Sequence, residues 1–323
     1  MARTAPVPNI PPIPGMNPAT WVAGGGAGGG GSGGKGGKGG DGDAGADGGD
    51  GSGEPEGGGK DGNACGNGSN GGCTNCGTKV SRGDPVDVTS GKVFTVPKRE
   101  LFLPGFFNLE LKRSYSSARS KVDLGLGFGW VHSLSWTLEE GRRTLLIRCG
   151  DGSHQEMPLL AKVGEQAIFN DWYLSKGENF YVLMPGKEFI HLFSPVEPGS
   201  KHYKLDYIIY RNRGKIALQY EKGRLVRAID TAGRVILFGN TADGRIESIS
   251  VPDSRGQSIV FARYQYDKVG DLVAATDADG FTTHYAYDQH RLTRLTYPNG
   301  VVFHFRYDQS GRCVEPGGSI PTE

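Results

Sequence analysis

The sequence has little excess charge of either sign and little cysteine. Lys and Arg together number 36, Asp and Glu number 35, and the formal net charge over 323 residues is +1. A sequence-independent grip on nucleic acid needs a clustered excess of Lys and Arg, so this balance argues against nucleic acid as a partner. The five cysteines are an odd number, spread unevenly, and they do not form a disulfide framework.

Long apolar runs are also missing. No stretch approaches the ~20 apolar residues of a membrane span, so we predict no membrane span. The N-terminus, MARTAPVPNIPPIPGMNPATWVAGGG, lacks the continuous apolar core of a secretory signal peptide. We therefore expect a protein that is cytoplasmic before export and that reaches the outside or the cell surface by a non-classical route.

Glycine and proline are concentrated at the front of the chain. Half of the 54 glycines lie between Ala23 and Gly72. Ahead of them stand five prolines that favour a short polyproline-like segment, namely Pro6, Pro8, Pro11, Pro12 and Pro14. A glycine tract cannot bury enough apolar surface to offset its ordering entropy. We predict a disordered Pro/Gly-rich leader over residues 1–82.

Residues 83–200 have the periodicity of strands. Apolar residues alternate with polar ones in two segments, at Phe107, Leu109 and Leu111 and at Leu134, Trp136 and Leu138. Such alternation predicts strands with one buried face. Two apolar runs flank Pro185-Gly186-Lys187 and predict a hairpin. The sequence shows no convincing helix-period segment, so we predict a β-rich domain here.

Residues 201–323 are built from a repeated unit. Leu205, Tyr207 and Ile209 alternate before a turn predicted at Asn212-Arg213-Gly214. Tyr-Asp pairs then fall at 266/267, 287/288 and 307/308, with weaker copies at Tyr220-Glu221 and Phe238-Gly239. A second landmark of the Gly-Arg-Leu type begins at Gly223, Gly244, Gly270, His290 and Gly311, in steps of 21, 26, 20 and 21 residues. These landmarks predict about five tandem units, of which three are clear.

Each unit has room for two strands and two tight turns. Asp279-Gly280 and Asn299-Gly300 are dipeptides typical of primed hairpin turns. The aromatic residue of each Tyr-Asp pair is predicted to pack on the sheet, and its Asp to hydrogen-bond into the next turn. Because one hairpin cannot bury its own apolar face, neighbouring units must stack along a continuous sheet.

These residues resemble the Rhs/YD-repeat family. Its repeat runs through Gly, Tyr-x-Tyr-Asp, Gly-Arg-Leu and Asp-x-x-Gly, which is matched from Gly256 to Gly280 and again from Gly280 to Leu292. The domain that often precedes such repeats is also matched, in segments beginning at Gly83, Leu103, Arg113, Gly125 and Gly150. The resemblance therefore covers about residues 83–312.

The resemblance implies an all-β fold: a plug-like domain over 83–200, followed by YD-repeat hairpins that form part of a β-shell over 201–323. In Rhs-type polymorphic toxins, a hollow shell of many repeats encloses a C-terminal toxin, and a plug-like domain helps to close one end. Delivery is often by a type VI secretion system. The implied partners are a downstream shell or toxin segment and a component of the cognate secretion system.

The chain is expected to depend on another polypeptide. It stops soon after the third clear repeat, and no toxin sequence follows. A handful of repeats cannot close a shell, and the last repeat would leave an open sheet edge. We therefore expect a truncated or split product, or a partner that covers the edge.

Several motifs suggest chemistry but do not establish it. Cys65, Cys73 and Cys76 supply three of the four ligands of a zinc site, with His132 or Cys149 as an undetermined fourth; the alternatives are a local disulfide and free thiols.

The glycine-rich Gly125–Gly129 run is better explained by turns beside a packed Trp130 than by a nucleotide site. Cleavage at Asp84-Pro85 is a further alternative, since autoproteolysis occurs in the family. We name no catalytic residue, no metal ligand and no cofactor.

The sequence thus favours a non-catalytic shell and plug portion of a polymorphic toxin used in interbacterial competition. The main alternative is a cell-surface module that binds carbohydrate through exposed aromatic faces. The tyrosines in question are Tyr264, Tyr266, Tyr285 and Tyr287. Packing of these four side chains between layers is the interpretation we favour. A remnant without independent function is the third hypothesis.

Overall fold

The computed structural model describes residues 85–105, 108–210 and 214–319. All described residues belong to one compact unit. They form twenty-three β-strands and one short 3-10 turn at Ser117–Arg119. Among them no helix is long and apolar enough to cross a membrane. The all-β prediction is confirmed for the part of the chain that is described.

The strands follow one another with short connections. The first twelve are β1 (Val86–Asp87), β2 (Lys92–Val93), β3 (Lys98–Leu103), β4 (Leu109–Tyr115), β5 (Trp130–His132), β6 (Thr137–Glu140), β7 (Thr144–Arg148), β8 (His154–Pro158), β9 (Gln166–Phe169), β10 (Trp172–Lys176), β11 (Tyr181–Pro185) and β12 (Phe189–Pro195). The rest are β13 (His202–Tyr210), β14 (Gly214–Glu221), β15 (Arg224–Ile229), β16 (Val235–Asn240), β17 (Ile246–Pro252), β18 (Ser258–Tyr266), β19 (Leu272–Asp277), β20 (Thr282–Asp288), β21 (Arg291–Thr296), β22 (Val302–Tyr307) and β23 (Cys313–Ser319).

Most strands belong to one long antiparallel sheet. From β9 to β23 each strand pairs with the next along the chain. Strands β6, β7 and β8 join the sheet through β13, which pairs with β6 near its start and with β14 near its end. The hairpin β1–β2 and the three-stranded sheet β3–β4–β5 form no strand pairing with the long sheet.

The main core is formed by one face of the long sheet together with β3–β5. Leu109, Leu111 and Trp130 from the small sheet and Tyr264 and Leu292 from the repeats are all buried in it. The predicted alternation holds for Leu109 and Leu111 in β4, while Phe107 lies outside the described residues. The hairpin predicted around Pro185 is confirmed by the antiparallel pairing of β11 with β12.

A β-bulge recurs once in every repeat, immediately before the aromatic landmark. The pairing register shifts at Gln219/Tyr220, Gly239/Asn240, Gln265/Tyr266, Ala286/Tyr287 and Arg306/Tyr307. Each bulge places one extra residue on the strand that follows the Gly-Arg-Leu turn. Because a bulge bends its strand and increases the local twist, its recurrence bends the sheet in the same way at every repeat.

A buried hydrogen bond accompanies each bulge. The tyrosine hydroxyl donates to a backbone carbonyl of the preceding repeat at four positions, Tyr220 to Leu205, Tyr266 to Ile246, Tyr287 to Leu272 and Tyr307 to Leu292, over 2.6–2.8 Å. In the remaining repeat the Asn240 side chain donates to Leu225 at 2.9 Å. The weak copy predicted at Phe238-Gly239 is therefore two residues out of register, because Asn240 occupies the tyrosine position.

The turn prediction is half right. In two of the three Tyr-Asp pairs the Asp does accept from a backbone N–H four residues later: Asp267 accepts from Asp271, and Asp308 accepts from Arg312. The primed turns predicted at Asp279-Gly280 and Asn299-Gly300 are wrong. Only the glycines there have positive φ, and type I′ turns need positive φ at both central residues. The described chain does have positive φ at both central residues at Gln289-His290, between β20 and β21.

Strand β13 departs from the predicted alternation. A bulge at Leu192/Phe193 leaves Asp206 without an opposing residue. As a result Leu205 lies in the main core, whereas Tyr207 and Ile209 pack on the opposite face of the sheet. Asn212 and Arg213, where a turn was predicted, lie outside the described residues.

The tyrosine bond leads to a prediction. In Tyr266→Phe the carbonyl of Ile246 loses a buried partner, which should lower the free energy of unfolding by about 1–3 kcal/mol. The control is Tyr297→Phe, because Tyr297 is 41% exposed and its hydroxyl forms no hydrogen bond with another described residue. Urea unfolding followed by fluorescence measures both. Equal small losses in the two variants would contradict this role of the hydroxyl.

Candidate functional site

The candidate functional site is the surface where the N-terminal strands dock onto the repeats. We call residues 85–105 and 108–132, which contain β1–β5 and their loops, the brace. The brace contacts the repeats at the third residue of the Gly-Arg-Leu landmark, which is the Leu position. The backbone N–H at that position donates to the brace from Ile246 (to the Gly125 carbonyl, 2.8 Å), Leu292 (to the Tyr115 hydroxyl, 2.9 Å) and Cys313 (to the Gly91 carbonyl, 2.6 Å).

Leu272 is the third landmark residue of the repeat between those of Ile246 and Leu292. The brace contacts it indirectly, through two side-chain hydrogen bonds in series. Trp130 donates its indole N–H to the Tyr287 hydroxyl at 2.8 Å, and that hydroxyl donates to the Leu272 carbonyl at 2.8 Å. Burial raises the pKa of Tyr287 well above its ordinary value. Its hydroxyl therefore keeps the proton that it donates. The brace thus meets three repeats through the N–H of the third landmark residue, and a fourth repeat indirectly through the carbonyl of that residue.

The glycine-rich loop between β4 and β5 supplies one of these contacts. One oxygen of the Asp123 carboxylate accepts from the N–H groups of Gly125 and Gly127, at 2.8 and 3.0 Å, and the other accepts from Arg245 Nε at 2.8 Å. Gly125, Gly127 and Gly129 all have positive φ. The loop leads into the buried Trp130, so its glycines form turns beside a packed Trp, as predicted.

A buried charge lies between the brace and the repeats. Arg113 in β4 forms an ion pair with Glu100 in β3, and their side chains are only 2% and 3% exposed. The guanidinium carbon also lies 4.7 Å from the ring centroid of Trp130, 5.6 Å from that of Tyr285 and 5.8 Å from that of Tyr264. Burial alone would lower the pKa of Arg113, but Tyr285 and Glu100 raise it overall, so the side chain stays charged.

A second polar contact lies beside the glycine loop. Asp271, which replaces the arginine of its landmark, contacts His290 Nδ1 at 2.9 Å. The His290 ring stacks on Phe128 of the brace, with 3.9 Å between the ring centroids. Burial raises the pKa of Asp271, and the contact with His290 partly opposes that rise. This pair joins two repeats at the point where the loop covers them.

An open cleft of about 430 Å³ borders the docked surface. Its walls combine Arg113, Trp130 and Tyr285 from the buried cluster with the more exposed Phe281 and Tyr297. The Lys98–Asp277 ion pair, with 3.2 Å between its charged atoms, also lines it. The cleft therefore offers an apolar wall next to charged groups, on the side of the sheet that the brace occupies.

The possible metal ligands are not brought together among the described residues. Burial lowers the pKa of His132 to about 4, and its Nδ1 accepts from the backbone of Leu134, so the ring is neutral and already engaged. Cys149 is buried separately, and the described part of the chain contains no cluster of metal-binding side chains. Cys65, Cys73, Cys76 and Asp84 lie outside the described residues.

The four tyrosines considered for sugar stacking are packed. Tyr264 and Tyr285 are 4% and 7% exposed, and Tyr266 and Tyr287 pack against the same core. Their aromatic faces are therefore not available as an exposed platform. His284 and His304 occupy exposed strand positions in neighbouring repeats.

Sequence reasoning did not single out Arg113, Glu100, Asp123 or Tyr115. A signal for two of them was present: Arg113 and Tyr115 continue the buried alternation of Leu109 and Leu111 along β4. A charged residue at an apolar position of a strand indicates a buried partner. The identity of that partner depends on the pairing of β3 with β4, which the alternation does not specify.

Comparison with known families decides the identity of the chain. A domain of unknown function, DUF6531, matches residues 83–157, and the RHS repeat matches residues 266–302 and 288–318. The chain is an Rhs-repeat protein. Its DUF6531 segment precedes the repeats and contains the whole described brace. The predicted family and the order of its parts are confirmed.

The Rhs-repeat chain is similar to curated toxins. It is 27% identical over 243 residues to the probable deoxyribonuclease RhsA of Dickeya dadantii (strain 3937), covering 72% of this chain and 16% of that protein. It is 26% identical over 232 residues to the double-stranded DNA deaminase toxin A of Burkholderia cenocepacia (strain H111), covering 68% and 15%. The chain thus spans about one sixth of their length and corresponds to a region of Rhs-type polymorphic toxins.

Solved structures of Tc toxins show a weaker likeness. The TcdB2-TccC3-Cdc42 crystal structure gives a TM-score of 0.31 at 9% identity, covering 56% of this chain and 10% of that one. The Tc holotoxin pore of Photorhabdus luminescens gives a TM-score of 0.30 at 11% identity, covering 74% and 12%.

The buried ion pair of the Rhs brace leads to a second prediction. Arg113→Met leaves the Glu100 carboxylate buried without its partner and should lower the free energy of unfolding by about 3–5 kcal/mol. Glu100→Gln combined with Arg113→Met removes both charges and should recover most of that loss. The exposed pair Arg306–Glu315 is the control, and Arg306→Met should cost less than about 1 kcal/mol. Chemical denaturation measures all three; a loss in Arg113→Met no larger than in the control would contradict the role of the pair.

The glycine loop leads to a third prediction. A Cβ added at Gly127 would lie 2.9 Å from the Gly270 carbonyl oxygen, whereas at Gly186, which has nearly the same φ, it would meet nothing within 4 Å. Gly127→Ala should therefore lose about 1–3 kcal/mol more than Gly186→Ala, because both carry the cost of positive φ but only one overpacks the docked surface. Unfolding monitored by tryptophan fluorescence compares them. Equal losses would show that the loop does not approach the repeats this closely.

Proposed function

We propose that this chain is the non-catalytic shell and plug portion of an Rhs-type polymorphic toxin that acts in interbacterial competition. Its role is to hold and deliver a toxin that the chain itself does not contain. The relatives named as a deoxyribonuclease and a DNA deaminase align with this chain over about one sixth of their length. In this proposal the chain forms part of the shell and plug around the toxin and takes no part in the reaction that the toxin catalyses.

The observation that carries the proposal is the set of equivalent contacts between the brace and the repeats. Ile246, Leu292 and Cys313 each donate the same backbone N–H to the brace. The brace therefore selects one face of the sheet as the inner face and holds successive repeats at a fixed spacing. A shell needs such a template, because the same bulge must bend the sheet in one direction at every repeat.

The cleft indicates where a cargo would first be held. It lies on the inner face, and its lining of Phe281 and Tyr297 next to Lys98 and Asp277 presents both apolar surface and charge. Such a lining suits a polypeptide segment, which brings apolar side chains together with a polar backbone. The proposed partners are a downstream shell or toxin segment and a component of the secretion system, with type VI secretion as the proposed route.

The carbohydrate-binding alternative has less support. It requires aromatic faces at the surface, and Tyr264 and Tyr285 are buried in the main core. No exposed row of tyrosines replaces them among the described repeats, since Tyr297 is the most exposed tyrosine there.

Co-expression tests the proposal. The chain is produced with a separately tagged polypeptide encoded by the DNA downstream of codon 323, and the complex is isolated and treated with protease. We expect the downstream segment to be retained and protected, and the same segment expressed alone to be digested. If the chain unfolds cooperatively, and is therefore folded, but retains no segment, the shell role is wrong. Binding of the folded chain to a glycan array would favour the alternative.

A further inference from the structure

The outer face of the last three described repeats carries a row of basic side chains. Arg263 in β18, His284 in β20 and His304 in β22 each lie three residues before the landmark tyrosine of their repeat. Arg294 lies on β21, between the last two. All four are exposed, whereas the next residue of each strand is buried in the main core, so the four side chains point away from the brace. We call these four residues the basic strip.

The basic strip has no carboxylate partner. None of its side chains forms an ion pair or a hydrogen bond with another described residue. Arg294 lies directly opposite His304 in the strand ladder. The other residues opposite the strip are small and uncharged, namely Ser248, Ala274, Thr276, Ala286, Thr296 and Gly317. Opposite charges across a ladder stabilise a sheet and like charges do not, so pairing within the sheet does not explain the strip.

The repeat itself does not require a basic residue at this position. The two earlier repeats have Ala217 and Leu237 three residues before their landmarks. Elsewhere on the described surface several arginines are neutralised, as in the Arg148–Glu139, Arg306–Glu315 and Arg312–Asp308 pairs, with 2.8–2.9 Å between the charged atoms. The strip thus stands out both by its position and by its lack of carboxylates.

The size and chemistry of the strip narrow the class of anion that it fits. It crosses the sheet from β18 to β22, four strand spacings or about 19 Å, which is too long for one small anion. Peripheral lipid binding adds an apolar face to the basic one, and the residues opposite the strip are small or polar. Single-stranded nucleic acid stacks on aromatic side chains, but the strip has no Phe, Tyr or Trp, and the chain has a net charge of only +1.

We propose that the basic strip binds an acidic segment of a partner protein on the outer face of the sheet. Alternate carboxylates of an extended segment are about 7 Å apart, and those one helical turn apart are about 5–6 Å apart. Either spacing brings successive carboxylates to successive residues of the strip, because arginine side chains are long and take carboxylates in bidentate pairs. This interaction goes beyond the proposed cargo role, which uses the inner face.

A binding titration of the full-length chain tests the proposal. The probe is a fluorescein-labelled decaglutamate peptide, followed by fluorescence anisotropy at low salt. We expect binding that weakens as salt is added, since the contacts are exposed. Arg263→Ser with Arg294→Ser should lower the affinity about three- to thirtyfold. The control is Arg227→Ser with Arg255→Ser, which removes two exposed arginines outside the strip and should change the affinity by less than about twofold.

Three results of this titration would overturn the proposal. One is no binding of decaglutamate by the unmodified chain, and another is an equal loss in the two double variants, which would show attraction by total charge alone. The third is tighter binding to vesicles of phosphatidylcholine and phosphatidylserine, or to oligothymidylate, than to decaglutamate. That result would assign the strip to a membrane or to nucleic acid.

Cross-linking provides a measurement that keeps the charge of the strip. In Arg263→Lys with Arg294→Lys, carbodiimide can join a glutamate carboxylate of the peptide to either introduced amine. Arg227→Lys with Arg255→Lys is the matched control, and the native lysines are common to both. We expect mass spectrometry to find peptide attached at positions 263 and 294 and little at 227 and 255. Equal attachment at the two pairs of positions would contradict the assignment, even if the serine variants fail to fold.

Discussion

The docking of the brace depends on one backbone N–H group in each of three repeats. A bulge interrupts the strand ladder before each aromatic landmark, and a backbone N–H that is buried must find another acceptor. The brace provides it at Ile246, Leu292 and Cys313. Because the acceptors are two carbonyls and a hydroxyl at fixed places in the brace, they set both the spacing of the repeats and the face of the sheet that is covered.

The side chains at this surface make the docking specific. The Arg113–Glu100 pair is fully buried, and its guanidinium lies among aromatic rings from both the brace and the repeats. A buried pair contributes little net stability compared with apolar residues. Both partners of this pair belong to the brace, so a misplaced brace would keep the pair but would lose the contacts of the guanidinium with the rings of Tyr264 and Tyr285 in the repeats. The cluster therefore penalises alternative registers. This is the property that a template for a shell requires.

Much of the fold could be predicted from local sequence, since the repeat landmarks and the alternation in β4 follow from residues close in the chain. The turn types, and the face of the sheet on which each strand residue lies, could not be predicted as reliably. Asn240 takes the place of a tyrosine because its amide reaches the same carbonyl, and the bulge at Leu192/Phe193 places Tyr207 on the opposite face from Leu205. Bulges depend on pairing between strands, which alternation alone does not encode.

The site was less predictable than the fold. Every contact between the brace and the repeats joins residues more than one hundred positions apart, such as Asp123 with Arg245 and Trp130 with Tyr287. Nothing in the spacing of either segment specifies the other. The glycines of the Gly125–Gly129 loop indicated turns beside a packed Trp, but the surface of the repeats that the loop contacts is defined only by the fold.

Native-state hydrogen exchange of the intact chain tests the central claim most directly. If the brace is the template for the repeats, the amides of β4 and β5 and those of β19–β22 should share one opening free energy and respond equally to low concentrations of denaturant. If the amides of β4 and β5 exchange through a much lower opening free energy while those of β19–β22 remain protected, the repeats hold their form without the brace, and the account is wrong.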